Sequence, residues 1–375
     1  MNTELSLASI DLSLYRYPKR SDEQLQAWDS ADEYIINTVA DEPPADNSSV
    51  LIFNDSFGAL TCAFNQHQVT SVSDSWISQA GIKQNLAENE FNEEAVTIQD
   101  CLAELPKQVD LVLIKVPRTL SLLEHQLAKL SHVVTANTRV IAAGKVKEIH
   151  NSTLALFEKY LGETKTSLAK KKSRLIFSTI SQAKTAALPE PTSWSVPNSP
   201  LNISNNVNVF SRNSLDIGAR FFMQHIPAGS YEHIIDLGCG NGIIGIEAAR
   251  LNPQAQITFV DESHLAVASA KDNVASNIAN HPADVHFLVN NCLYNYPPHS
   301  VDLVLCNPPF HQQQAITDHI AWQMFKDAHR ALSWGGELYI VGNRHLDYHI
   351  KLERLFSNHE IVASNAKFVI IKAKK

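Results

Sequence analysis

Two segments of this 375-residue chain, VDLVLIKVPR (109–118) and VDLVLCNPPF (301–310), share their first five residues, and the sequence around them keeps step. LIFNDSFGALTCAF runs parallel to IIDLGCGNGIIGIE. VTSVSDSWISQAGIKQNLAEN runs parallel to ITFVDESHLAVASAKDNVASN, and VIAAGKVKEIHNSTLALFEKYLG to YIVGNRHLDYHIKLERLFSN. A repeat of this length constrains the fold more than composition can, because one order of elements has to serve twice. Each copy alternates short apolar strands with amphipathic helices, which predicts parallel sheets with crossover helices. In the second copy the strands are expected in HIIDLGC, QITFVDE, ADVHFLVNN, VDLVLCN and GGELYIVG, closed by a hairpin in HEIVASNAKFVIIKA. Between the copies lies AALPEPTSWSVPNSP, whose four prolines remove backbone donors and read as a linker over 186–200. The expected domains are therefore 1–185 and 201–375.

The copies differ where chemistry would sit. The second has Gly238, Gly240 and Gly242 where the first keeps only Gly58, and Asn307-Pro308-Pro309-Phe310 where the first has Lys115-Val116-Pro117-Arg118. The first copy is expected to fold but not to catalyse.

Composition excludes little beyond this. There is no run of about 18 apolar residues to span a bilayer. The N-terminus lacks the basic start and apolar core of a signal peptide, and five scattered cysteines with no CxxC pair fit a reduced thiol set. A cytoplasmic protein without zinc, disulfides or other metal is expected. The net charge of −8 does not suggest a nucleic-acid binder. Its distribution is uneven, however. Lys145, Lys147, Lys159, Lys165, Lys170, Lys171, Lys172 and Arg174 face only three Glu between 145 and 174, while residues 1–50 carry ten acids against three bases. Such a cluster can hold phosphates or be an ordinary solvated face.

Asp236-Leu237-Gly238-Cys239-Gly240-Asn241-Gly242 follows a strand and opens a helix. Its glycines permit positive φ and close approach of a ligand to the backbone. The spacing also satisfies the dinucleotide fingerprint, with an acid, Asp261, 21 residues past Gly240 to accept from ribose hydroxyls. Asp236 discriminates between cofactors: a carboxylate there repels a pyrophosphate and suits an ammonium. S-adenosylmethionine (SAM) carries a ribose, an ammonium and no phosphate, and is preferred over a nicotinamide cofactor. Asn291 stands where an amide can meet an adenine edge, and equally where a strand-end turn favours Asn. Glu262 reads as a helix-start acid.

The motif at 307–310 answers a different need. A heterocyclic amine is a poor nucleophile because its lone pair is delocalised into the ring. The Asn307 side-chain carbonyl and the Pro308 backbone carbonyl, held by Pro309, can accept both N–H groups and aim the nitrogen at a methyl donor. Phe310 offers a face on which a flipped base can stack.

These residues, with VFSRNSLDIGARFFMQHIP upstream, resemble the class I SAM-dependent methyltransferases of the RsmC/RlmG family of ribosomal RNA guanine-N2 methyltransferases. The segments AWDSADEYI, NDSFGAL, IKVPRTL and NPPFHQQQAITDHIAWQMF resemble most the branch that acts on 23S rRNA. The resemblance covers nearly the whole chain. It implies two tandem Rossmann-like domains, the N-terminal one degenerate. The charge cluster itself, with Lys145, Lys165, Lys170, Lys171, Lys172 and Arg174, makes that degenerate copy the expected RNA-recruiting half. The resemblance also implies SAM binding at Asp236, Gly238, Gly240, Gly242, Asp261 and Asn291, with Phe210 and Asp216 in the segment closing over cofactor and target. Catalysis falls to Asn307, Pro308, Pro309 and Phe310, and His311 is either a substrate contact or a structural histidine. The rival readings are an adenine-N6 or protein-glutamine methyltransferase, which more often carry tyrosine after the prolines, and a non-catalytic RNA-binding ribosome-assembly factor.

Overall fold

The computed structural model describes residues 2–7, 10–181, 186–309 and 314–375, with side chains from 319 in the last stretch. The chain forms two compact units, Met1–Glu190 and Pro191–Lys375. The first contains β1 (Glu4–Leu7), β2 (Ile10–Ser13), α1 (Ser30–Asp41), β3 (Ser49–Phe53), α2 (Ala59–Ala63), β4 (Gln68–Val72), α3 (Trp76–Glu88), β5 (Thr97–Gln99), β6 (Leu111–Lys115), α4 (Leu120–Leu130), β7 (Arg139–Lys145), α5 (Asn151–Tyr160), β8 (Thr164–Thr166) and β9 (Ser173–Ser178). The second contains β10 (Thr192–Ser195), β11 (Asn202–Asn205), α6 (Ile217–Met223), β12 (His233–Leu237), α7 (Ile243–Leu251), β13 (Gln256–Asp261), α8 (His264–Asn277), β14 (Val285–Val289), β15 (Val301–Cys306), α9 (Gln314–Ala331), β16 (Leu332–Asn343), α10 (Tyr348–Phe356), β17 (Glu360–Ser364) and β18 (Phe368–Lys374).

Each unit is built on one seven-stranded sheet, ordered β5-β4-β3-β6-β7-β9-β8 and β14-β13-β12-β15-β16-β18-β17. Numbered within its own sheet, each reads 3-2-1-4-5-7-6. Five strands are parallel, and in each sheet the chain ends in an antiparallel hairpin whose second strand, β9 or β18, pairs antiparallel with the fifth. Burial on both faces explains why strands such as Val50–Phe53 and Leu303–Cys306 are apolar throughout rather than alternating. In the second unit one face packs against α6 and α7 through Leu303, Leu305, Tyr339 and Val341. The other packs against α9 and α10 through Cys306, Ile340, Phe325 and Tyr348.

The linker expected over 186–200 ends earlier. From Pro191 the chain belongs to the second unit, and Thr192–Ser195 pairs antiparallel with Asn202–Asn205. Strands with free donors on one edge tolerate neighbouring prolines, so proline density marked the approach to a hairpin as well as a boundary. This hairpin has a counterpart in β1–β2, and both are held the same way. Asn273 accepts from the Ser204 amide at 2.8 Å and donates to the Ser204 and Asn241 carbonyls, while Asn277 bridges both backbone groups of Asn202. In the first unit Asn85 does this for Tyr15 and the Phe57 carbonyl, and Asn89 for Ser13.

Candidate active site

The sheet order of the second unit reverses at β12, so the chain leaves β12 toward one side and β15 toward the other. Ligand sites of open α/β sheets lie at such switch points, beyond the carboxyl ends of the strands. Leu237 pairs with Cys306 here, which sets the glycine loop and Asn307 level on neighbouring strands.

Between β12 and α7 the backbone turns left-handed three times, at Gly238, Gly240 and Gly242. At Gly240 (φ +54°) no heavy atom of the described residues lies within 4 Å of where a Cβ would stand, so this turn opens onto space. Gly245 is glycine for the opposite reason: a Cβ there would fall 2.3 Å from Phe259 Cε1. Asp261, at the end of β13, accepts from the Gly240 amide at 2.9 Å through one oxygen and from the Ser263 amide at 3.0 Å through the other. The carboxylate is thereby fixed beside the loop's open turn.

Asp236 is turned into the fold more than the sequence implied. Its Oδ2 accepts from the Gly245 amide at 2.8 Å, and the residue is 2% exposed. Burial, opposed by that amide and assisted by the charge of Asp261, pushes its pKa up to about 7. Its first role is therefore to dock β12 onto α7. Asn291 is buried just beyond β14, where its backbone carbonyl accepts from the Tyr294 amide. Asp216 caps α6, accepting from the Ala219 amide at 2.8 Å. Phe210 is half exposed in the segment before it, which is tied down by a hydrogen bond from Trp194 Nε1 to the Arg212 carbonyl.

Asn307 follows the last paired residue of β15. Its Oδ1 is buried and has no hydrogen-bond partner among the described residues. Leaving such an oxygen unpaired costs on the order of 1–3 kcal/mol, so the position calls for a donor. Pro308 is buried and Pro309 exposed, while Phe310 and His311 lie outside the described residues.

In the first unit the corresponding space is filled. Asn54 takes the left-handed turn of Gly238 and exchanges hydrogen bonds with Gln126. Ser73 stands where Asp261 does. Asp55 docks on α2, accepting from the Thr61 amide, just as Asp236 docks on the Gly245 amide. Lys115, at the place of Asn307, is clamped by Asp29 at 2.8 Å and Asp32 at 2.7 Å. Burial works against its charge, but the two carboxylates raise its pKa to about 12. Asp32, fully enclosed, is pushed up to about 6 by burial against the pull of Lys115. Asp29 also caps α1, so the N-terminus of that helix closes the site.

The basic stretch of the first unit is partly neutralised. Lys171 pairs with Glu33, Lys165 with Glu163 and Lys159 with Glu124. Lys170 lies over the Tyr34 ring, and Arg174 has a buried Nε without a partner among the described residues. Lys145 and Lys172 are exposed. The Val146 amide donates to the Lys172 carbonyl, so the turn joining β8 to β9 sits at the carboxyl end of β7, the same end as the glycine loop of its counterpart sheet.

Among the described residues no group of three or more His, Cys, Asp or Glu is gathered to hold a metal. His345 and His349 have an HxxxH spacing, but Asp347 between them is left-handed and no single helix carries both. No helix among the described residues is long and apolar enough to cross a membrane. The sequence reading missed Asn205, Asn241 and Asn273, whose buried amides hold the glycine loop. Their signal was present in the matched spacing of Asn85 and Asn89 with Asn273 and Asn277.

Comparison with known proteins agrees in both halves. Residues 2–182 match the family model described as RLMG N-terminal domain, and residues 200–372 match the methyltransferase small domain. The chain is 55% identical to ribosomal RNA large subunit methyltransferase G of Aeromonas hydrophila, with each chain covered in full. Identity to the proteins of the same name is 52% in Psychromonas ingrahamii, again with full coverage of both, and 50% in Vibrio campbellii, covering 100% of this chain and 98% of that one. Among solved structures, the T. thermophilus 16S rRNA N2 G1207 methyltransferase (RsmC), in complex with AdoMet and guanosine, superposes with a TM-score of 0.77. It covers 100% of this chain and 97% of that one at 18% identity, a likeness of fold.

Proposed function

Because the chain belongs to the family of ribosomal RNA large subunit methyltransferase G, we propose that it is a SAM-dependent methyltransferase that methylates N2 of a guanine in 23S ribosomal RNA. The observation that carries the reading is the buried, unpartnered Oδ1 of Asn307, level with a glycine loop that opens onto space. Bound SAM supplies an electrophilic methyl group. Gly240 leaves room for it, and Asp261, oriented by two backbone amides, is the acceptor for its ribose hydroxyls. Asp236 has Oδ2 on the Gly245 amide, which leaves Oδ1 to face the ammonium. Asn291 lies one strand further along and meets the adenine edge.

Asn307 Oδ1 and the Pro308 carbonyl accept the two N–H groups of the guanine amine. Both bonds align its lone pair with the methyl group and strengthen as the nitrogen gains positive charge, which is stabilisation specific to the transition state. The proton lost after transfer leaves through the same acceptors. Phe310 stacks on the flipped base, and the segment from Phe210 to Asp216 closes over it. Adenine N6 and protein glutamine remain the rival amines. Mass mapping of nucleosides in rRNA from a strain lacking the protein decides: loss of N2-methylguanine supports the proposal, and loss of N6-methyladenine overturns it.

The shared strand order and the matched asparagine clamps support an origin by duplication, after which the first copy became degenerate. In that copy an ion triad occupies the site, so it serves instead to recruit rRNA through Lys145, Lys165, Lys170, Lys171, Lys172 and Arg174. The domain roles are thus recruitment in residues 1–190 and catalysis in 191–375, in the cytoplasm where this substrate lies.

A further inference from the structure

A second amide oxygen at the same end of the catalytic sheet is buried and without a hydrogen-bond partner among the described residues: Oδ1 of Asn343, the last residue of β16. Asn343 precedes a 3-10 turn, Arg344–Leu346, yet its side chain makes no capping bond to it. Local structure therefore does not account for the amide.

Its position relative to Asn307 is set by pairing. β15 and β16 are parallel neighbours with Cys306 opposite Ile340, so Asn307 is level with Val341 and Asn343 lies two residues further along. Side chains alternate between faces. Leu305 and Val341 both face the core beneath α6 and α7, so Asn307 and Asn343, each two residues on, point to that same face. Strand spacing and rise put their Cα atoms about 8 Å apart, close enough for two inward-leaning amides to flank one base edge. The N-terminus of α6 covers this corner: a Cβ on Gly218 would meet Asp216 Oδ2 at 2.9 Å and Phe368 at 3.2 Å, and Phe368 is the partner of Asn343 in the sheet. The two amides also change together between the units. Lys115 takes the place of Asn307, and Lys145, through the equivalent pairing of β6 with β7, takes that of Asn343. A residue needed only to end the strand would have no reason to follow the catalytic one.

We infer that Asn343 is the specificity-determining residue of the target pocket: its Oδ1 accepts the N1–H of guanine while Asn307 holds the N2 amine. The inference rests on the guanine-N2 reading. Guanine presents N1–H and N2–H₂ as adjacent donors. Adenine presents a lone pair at N1, which would meet the buried oxygen of Asn343 with repulsion and leave it unpaired. A site with a buried acceptor rejects a base lacking the donor more strongly than shape alone can.

The test uses the full-length protein with rRNA transcripts that carry guanine or 2-aminopurine at the methylated position. 2-Aminopurine keeps the exocyclic amine but has no N1–H. Wild type should prefer guanine by roughly tenfold or more in kcat/KM. Asn343→Ala should abolish most of that preference, by losing rate on guanine and by relieving the N1 repulsion on 2-aminopurine, with SAM affinity unchanged. Asn343→Asp, which keeps an acceptor oxygen, should retain the preference for guanine. Where turnover of the analogue falls below detection, the Kd values of the two transcripts give the same comparison. An equal fall on both bases in Asn343→Ala, a wild type indifferent to N1–H, or an Asn343→Asp variant without preference overturns the inference. A wild type that forms no N2-methylguanine on the guanine transcript overturns the underlying reading instead, and product mass distinguishes the two failures.

Discussion

At the scale of single residues, the catalytic unit is organised by groups whose hydrogen-bonding capacity is engaged or conspicuously left open. Asn307→Ala removes an acceptor that matters most in the transition state. It should lower the methyl-transfer rate by roughly 10²–10³-fold while SAM affinity, read by calorimetry, stays unchanged. Retention of a near-normal single-turnover rate would refute the lone-pair argument. Asp261→Ala should do the reverse and weaken SAM binding first. Asp236 gives a pH signature. Its folded pKa, about 7, lies above the ordinary carboxyl value, so the native state binds the extra proton and stability declines as pH rises from about 4 through 7. Asp236→Asn should flatten this part of the melting-temperature profile, since an amide carbonyl can still accept from Gly245. Parallel profiles for variant and wild type would show that Asp236 does not carry the slope.

At the scale of elements, the strands and helices were legible because their apolar runs and helical spacing are strong in both copies, and the glycine turn and Asn307 announced a site at strand ends. The β10–β11 hairpin was not legible. TSWS and NISN are four-residue polar strands whose pairing is stabilised from outside, by Asn273 and Asn277 on α8. A side chain clamping a distant backbone leaves no local periodicity. The inward turn of Asp236 was equally hidden, because the sequence gives a carboxylate but not the amide it meets. The paired clamps lend themselves to comparison. Asn273→Ala and Asn85→Ala each strand buried backbone groups and should cost about 2–4 kcal/mol in chemical denaturation. Only Asn273→Ala should also weaken SAM binding, because only Asn273 supports the glycine loop of the open site.

At the scale of the whole molecule, two units share one strand order, while the open glycine loop and the unpartnered Asn307 oxygen belong to the second. If the first recruits rRNA, changing Lys170, Lys171 and Lys172 to Glu should weaken RNA binding and flatten its dependence on salt, as fewer counterions are released per complex. SAM affinity should not move. Lys171 is already paired with Glu33, so the single Lys172→Glu change should carry more of the effect than Lys171→Glu. A protein trimmed to residues 191–375, the compact second unit, should still bind SAM but methylate rRNA slowly. Full-rate methylation by that fragment would refute the recruiting role.

The Lys115 triad bears on history as well as on stability. Placing asparagine at 115 would strip Asp29 and Asp32 of their counter-ion while Asp32 stays enclosed. Breaking a buried pair from one side costs roughly 3–5 kcal/mol, a large part of the 5–15 kcal/mol that holds a domain folded. If the first unit descends from a working copy, as proposed, any path back to an open site would pass through a destabilised protein before a cofactor could bind, with α1 acting as a ratchet.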